Sequence, residues 1–217
     1  MAITFPRDMP DELGVVAMAF PPEPMIEVTP LRSGRQISAD LGPTLWRARY
    51  TSHRMRQDKA GIVRSWYDTL LSLNDFYGYD KLREYPLAYA TGWGALTVGG
   101  NPFSGSGRLV SVAGNNVQIN IDQVPNGFAL APGDYIAFDY ASGASRALHR
   151  VAAAATANNS GQVTLDVRPH IRPGWAVDAA IMFRRAAARM IILPKSYDER
   201  IEARVFTTIS FEAIQTL

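Results

Sequence analysis

Three histidines, His53, His149 and His170, are the first residues to test for chemistry in this chain of 217 residues. None stands with a second histidine at the spacing that puts two ligands on one side of a metal, so no zinc site is expected. His149 reads as a half-exposed sheet residue, His170 as a loop residue flanked by Pro169 and Pro173, and His53 as part of a strand-to-helix turn. The acid–base candidates are the pairs Asp80/Glu84 and Asp198/Glu199, and nothing in the sequence brings them together. There is no G-x-S-x-G elbow. The glycine-rich run from Gly99 to Gly107 is followed by neither Lys-Ser/Thr nor a helix, so it reads as a loop rather than a phosphate cradle. Cysteine is absent, which removes disulfides, thiolate ligands and thiol nucleophiles. No catalytic constellation, metal or cofactor is expected; an enzyme such as a cell-wall hydrolase would need paired carboxylates meeting in a cleft.

The chemistry that is present belongs to arginine. Of the 22 basic residues 19 are arginine, although the net charge is only +2. Guanidinium groups suit carboxylate pairing and interface stacking better than lysine does. They concentrate between Arg47 and Arg64, at Arg47, Arg49, Arg54, Arg56 and Arg64. Three readings follow: an ion-paired or solvated face, a subunit interface, or a nucleic-acid face. Non-specific nucleic-acid binders usually carry a larger basic surplus. Downstream, Phe76, Tyr77 and Tyr79 lie in an expected loop, where a subunit contact competes with self-packing. The residues taken as a candidate subunit interface are therefore Arg47, Arg49, Arg54, Arg56, Arg64, Phe76, Tyr77 and Tyr79.

Elements must position these groups. Thr44 to Tyr50 alternates, with Trp46, Ala48 and Tyr50 on one face, as a half-buried strand requires. Ile62, Val63, Trp66, Leu70 and Leu73 then recur at helical spacing, with Asp58 as expected N-cap and Asn74, Asp75 and Gly78 as stop signals. This is the one principal helix expected. Residues 1–24, with five prolines, read as an extended N-terminal arm. Leu41-Gly42-Pro43 reads as the turn of a hairpin between Gln36–Asp40 and the Trp46 strand. Leu82–Tyr89 reads as a strand broken by Pro86. Glu199–Ile214 reads as one long strand, with Ile201, Ala203, Val205, Thr207, Ile209 and Phe211 on one face and Glu202, Arg204 and Thr208 on the other.

Between these parts, six short strands (Arg108–Val112, Val117–Ile121, Tyr135–Tyr140, Arg146–Val151, Val163–Arg168 and Val177–Phe183) carry turn chemistry and no helix between them. That pattern predicts a small antiparallel barrel inserted into the helix-bearing part. The expected domains are the arm 1–24, a first domain of residues 25–95 and 186–217, and the barrel 96–185. A binding face on the barrel would require Tyr135, Tyr140 and Trp175 to be exposed together. The N-terminus carries no basic segment ahead of an apolar core, and no run approaches the roughly 18 residues of a membrane span, so no export signal or membrane insertion is expected.

The order of parts resembles a known family. The phrases are Leu45-Trp46-Arg47-Ala48-Arg49-Tyr50, Leu73-Asn74-Asp75-Phe76-Tyr77-Gly78, Leu130-Ala131-Pro132-Gly133-Asp134, Val163-Thr164-Leu165-Asp166-Val167-Arg168-Pro169 and Thr208-Ile209-Ser210-Phe211-Glu212-Ala213-Ile214. Over residues 30–217 the chain is similar to the distal tail proteins, or tail-hub proteins, of long-tailed bacteriophages and gene transfer agents. The resemblance implies a mainly β, α+β chain: a tail-tube-like β-sandwich plus helix, with an oligonucleotide-fold-like barrel inserted. It implies a hexameric ring at the distal tail tip of a virion, joining the tail tube protein to hub or tail fibre proteins, with DNA passing only in transit. The arm would reach a neighbouring subunit. The alternatives are a binding module whose barrel contacts host-surface glycan or single-stranded nucleic acid, or a different tail or connector subunit.

Overall fold

A computed structural model of the chain describes residues 3–202 and 205–217. Ahead of the helix come β1 (Arg7–Asp8), β2 (Val15–Ala19), β3 (Pro22–Pro30), β4 (Gln36–Ser52) and β5 (Met55–Arg56), then α1 (Gln57–Asp68). After it come β6 (Phe76–Tyr79), β7 (Thr97–Val98), β8 (Asn101–Pro102), β9 (Ser106–Val112), β10 (Gln118–Asp122), β11 (Ala129–Leu130) and β12 (Tyr135–Tyr140). The chain ends through β13 (Ser145–Val151), β14 (Ala155–Thr156), β15 (Val163–Arg168), β16 (Ala180–Met182), β17 (Ala187–Ile192), β18 (Asp198–Glu202) and β19 (Phe206–Gln215). The fold is mostly β with a single α-helix among the described residues. It divides into two compact units, one of residues 10–75 and 190–216, the other of residues 3–9, 76–189 and Leu217. In sequence the barrel is an insertion into the helix-bearing unit. Residues 76–95 group with the barrel because Tyr89 stacks on the buried Phe128 at 4.9 Å and Trp93 lies 5.0 Å from Phe103.

In the helix-bearing unit β19 pairs antiparallel with β4, β5, β17 and β18, and β2 pairs with the other edge of β4. Trp46, Ala48 and Tyr50 are buried on one face, as their alternation requires. Ile209, Phe211 and Ala213 of β19 are buried beside them. Helix α1 lays Ala60, Val63 and Trp66 on this floor. The Trp66 ring lies 5.9 Å from Phe211, which lies 5.1 Å from Tyr50. Each large side chain so buried contributes about 1.5–3 kcal/mol. The helical stripe differs from the expected one. Ile62 and Leu73 stay exposed, and Ala60 takes the inward place. Arg56, not Asp58, occupies the N-cap; Asp58 sits in the first turn, where its charge still suits the helix dipole. The helix closes at Thr69, whose Oγ1 donates to Trp66 O at 2.6 Å, while Gly78 lies inside β6.

Four further expectations are corrected. Leu41-Gly42-Pro43 does not turn: β4 runs straight through it, and the register against β3 shifts there twice. Glycine and proline serve bulges in this strand rather than a hairpin loop. The long final strand is instead a hairpin, with Glu202 opposite Phe206, so Ile201 and Val205 are exposed while Thr207 is buried. Ala203 and Arg204 lie outside the described residues. Leu82–Tyr89 forms no strand; Leu87–Tyr89 is a single 3-10 turn, and Leu87 N donates to the buried Asp134 carboxylate. Residues 10–24, expected as an arm, supply β2 and the start of β3 and bury Leu13 and Phe20. His53 anchors this segment, since its backbone N–H and its Nδ1 both meet Gly14 O, at 2.8 and 2.7 Å.

In the other unit the six expected strands close into an antiparallel barrel of order β10-β15-β13-β12-β16-β9. Ile119, Ile121, Ile136, Phe138, Val163, Leu165 and Val167 alternate inward. His149 is buried rather than half-exposed, stacked on Phe138, with Nδ1 at 2.9 Å from Pro169 O and Nε2 without a partner. Burial pushes its pKa down from 6.5 to about 4. As pH falls below 6.5 the unfolded chain takes up the proton first, so stability present at neutral pH is lost toward pH 4. The loss is expected to reach on the order of 3 kcal/mol. Urea midpoints followed by circular dichroism between pH 7 and 4.5 check this, and His149→Phe is expected to flatten that part of the profile.

Candidate assembly surfaces

The helix-bearing unit leaves one large piece of its sheet without a core. Over residues 36–42 strand β4 pairs with β3 alone, and among the described residues no strand covers either outer edge of this ribbon. The turn is Leu31 to Arg35, closed by Leu31 N to Arg35 O at 2.8 Å, with Gly34 at φ 79° supplying a conformation other residues resist. Ile26, Val28 and Pro30 share one face with Asp40, Ser38 and Gln36; Met25, Glu27 and Thr29 share the other with Gly42, Ala39 and Ile37. Both faces are exposed. Ile26 is 53%, Val28 52% and Ile37 57% accessible. A two-stranded ribbon is marginal in water on its own, and this one offers apolar side chains on both sides. Its arginines, Arg32 and Arg35, form no ion pair among the described residues.

A second uncovered surface lies on the same unit. Around α1 and in the turn after it Asp58, Lys59, Ile62, Asp68, Leu71 and Leu73 are exposed, with Lys59 and Asp68 on opposite sides of the helix. The last turn of α1 carries no basic residue, so the negative end of its dipole has no neighbouring cation on the helix itself.

The arginine series is absorbed largely by its own chain. Arg47 bonds Glu212 at 2.9 Å and Glu23 at 3.3 Å, and Arg49, opposite Glu212 in the sheet, binds the same carboxylate. The Arg49 and Arg47 guanidiniums hold the Glu212 carboxyl below its usual range. Arg54 pairs with Glu202 at 3.1 Å and covers the Phe206 ring, while Arg56 stays exposed on β5. Arg64 ties α1 to β18 through Glu199, with Nε at 3.0 Å from Oε2. Tyr197 stacks on Tyr67 at 3.8 Å and donates to the same carboxylate, and burial with that neighbouring charge pushes its phenol up. These residues form an ion-paired face, one of the three readings open to them.

The aromatic candidates are mostly core. Phe76 and Tyr79 are buried in β6, and Arg146 lies over the Tyr77 ring at 4.0 Å. Packing within the chain leaves Phe76 and Tyr79 nothing to offer a neighbour. On the barrel, Tyr135 is buried, flanked by Arg83 and Arg150, and its hydroxyl accepts from Arg150 at 3.0 Å. Tyr140 and Trp175 pack partly against the barrel core. Tyr135 and Tyr140 are an odd number of residues apart on one strand and point to opposite sides, so the expected open aromatic face does not form. Among the described residues no three His, Asp or Glu side chains gather as a metal site.

What the barrel does offer is a groove of about 300 Å³ over β9, β10 and β15, lined by Val110, Ser111, Asn120, Asn158, Gln162 and Thr164. Asn120 donates to Ser111 Oγ at 2.9 Å and accepts from Thr164 at 2.6 Å. Val110 is the extra residue of a bulge, which turns its side chain outward. Sequence reading missed the groove, and it missed the pairing of Met25–Val28 with Gln36–Ala39, although these two runs flank the Ser33-Gly34 turn.

The Arg64–Glu199 pair generates a test of how α1 is held. Arg64 holds the Glu199 carboxyl below its ordinary value of 4.5. Its stabilisation is thus present above that value and is lost as pH falls through the lower folded one. Glu199→Gln is expected to cost roughly 1 kcal/mol at pH 7, since the pair is partly solvated, and progressively less as pH falls below 4.5. Thermal unfolding of both chains over a falling pH series measures it. No protein-family model matches the chain, and no curated protein matches it in sequence.

Proposed function

We propose that this chain is a structural subunit of a virion, a ring-forming protein of the distal tail kind that joins the tail tube to hub or fibre proteins and leaves a channel for DNA. The observation that carries the reading is the β3–β4 hairpin, exposed on both faces and both edges, which needs a partner surface to be stable. The helix laid on a sheet, with a barrel inserted between β6 and β17, is the element order on which the resemblance to tail-hub proteins rests. A tail-tube-like sandwich, a hexameric copy number and a place at the tail tip belong to the same reading. Rings close the edges that single subunits leave open, with each contact repeated around the axis. Light scattering and negative-stain imaging of the purified protein test it. Rings of about six copies with a central hole are expected; a monomer at every concentration overturns it.

The barrel groove favours a second reading, a binding module. Its lining is amide, hydroxyl and aliphatic, with no cation, which suits a neutral saccharide and not a nucleic-acid strand. Titration with a glycan panel, followed by nuclear magnetic resonance, is expected to shift the Asn120 and Thr164 signals. Asn120→Ala with Thr164→Ala is expected to weaken binding about tenfold or more, since the loss of a well-made hydrogen bond from a formed site is of that order. No shift with any glycan removes this reading.

A further inference from the structure

One end of the barrel is closed by a loop, and the loop is fastened to a buried imidazole. It runs from Pro169, after β15, to Asp178, ahead of β16. Ile171 turns inward and is buried, while Pro173, Gly174, Ala176 and Val177 face solvent. Trp175 and Tyr140 pack partly against the core beneath. Backbone bonds tie the loop down, from Ile171 N to Asn116 O at 2.8 Å and from Ala141 N to Gly174 O at 3.1 Å. His149 adds a side-chain tie, its Nδ1 lying 2.9 Å from Pro169 O. A carbonyl oxygen only accepts, so Nδ1 carries the hydrogen and Nε2 the lone pair. Nε2 is buried and has no hydrogen-bond partner among the described residues.

The surroundings offer a second proton on this ring nothing. Inward from β12 come Ile136, Phe138 and Tyr140, and from β15 Leu165 and Val167; β9, β10 and β16 add aliphatic and aromatic side chains. Arg150 on β13 and Asp166 and Arg168 on β15 alternate to the outer side. The charged group whose field reaches the ring is Arg172, in the loop itself, and its charge opposes protonation. We propose that loop 169–178 is an acid-released latch: protonated His149 and Arg172 are two cations in one apolar barrel end, and the loop leaves with Arg172 while the six strands stay closed. Release gives the new Nε2–H to water and separates the charges. The loop is the part that yields, because β13 is laddered to β12 and β15 on its two sides whereas most loop residues are already solvated. Its departure uncovers the seat of Ile171 and the end of the Phe138 layer, an apolar surface presented only in acid. This device is independent of the ring reading. Burial foremost, with Arg172, holds the closed ring neutral down to about 4, and water returns it toward 6.5. Opening therefore takes up a proton, and its equilibrium constant rises roughly twentyfold from pH 7 to pH 5.

Amide hydrogen exchange of the full chain, followed by nuclear magnetic resonance at pH 7 and pH 5 and corrected for the intrinsic rates, tests it. The Ile171 and Ala141 amides are expected to lose roughly twentyfold in protection, and at both pH values to exchange faster than the ladder amides of β10 and β15. Unchanged protection at Ile171 and Ala141 overturns the latch. So does protection equal to that of the ladder amides at both pH values, which would mean that the loop leaves only when the whole barrel unfolds. His149→Phe keeps an aromatic ring against Phe138 and is expected to make the loop exchange equally at the two pH values; a twentyfold change surviving in it overturns the role of the imidazole. Arg172→Gln removes the second cation without touching the imidazole and is expected to shrink the change, and an undiminished change there overturns the pairing of charges. The native-chain measurement needs no variant, so it decides the matter even where His149→Phe does not fold.

Discussion

Strand β4 is asked to do two incompatible things, and the structure is arranged around that. Its second half, from Trp46 onward, is the floor of a core closed by Phe211 and Trp66. Its first half, from Gln36 to Leu41, has no core at all. A single continuous strand couples them, so the buried half holds the exposed half in register. Two bulges at the junction, where Gly42 and Pro43 sit, absorb the change. Burying Trp46 and Tyr50 stabilises the unit that presents the hairpin, and the hairpin's own two strands would not hold it alone.

Electrostatics on this unit work at short range. Glu212 takes two arginines and Glu199 takes Arg64 and Tyr197, so most of the basic series is neutralised locally. Among the described residues of this unit, Arg32 and Arg35 at the hairpin tip and Arg56 on β5 stand outside such pairs and are exposed. This is why a chain rich in arginine need not behave as a nucleic-acid binder: phosphate affinity follows uncompensated cations, not their count. The barrel follows a different rule. Its stability comes from inward-alternating aliphatics, and its buried imidazole, His149, is held neutral by the same desolvation that packs it against Phe138.

The sequence by itself determined the elements whose signal is local. Period-two alternation placed the six barrel strands and the inward set Trp46, Ala48 and Tyr50, and a change to helical period placed α1. Glycine and proline, by contrast, misled at Gly42-Pro43, because the same backbone freedom serves a turn or a bulge. Only the tertiary structure decided which it was, since the choice depends on where β3 pairs. The same holds for sides and partners. Ile62 and Val63 are neighbours in one helical run, and only the sheet beneath decides which turns inward. Phe76 and Tyr79 looked like loop aromatics until β6 buried them. Arg49 found Glu212 because two strands distant in sequence lie opposite each other. Local chemistry sets what each segment can form; burial and pairing, which are sums over the whole chain, set which surfaces are left for function.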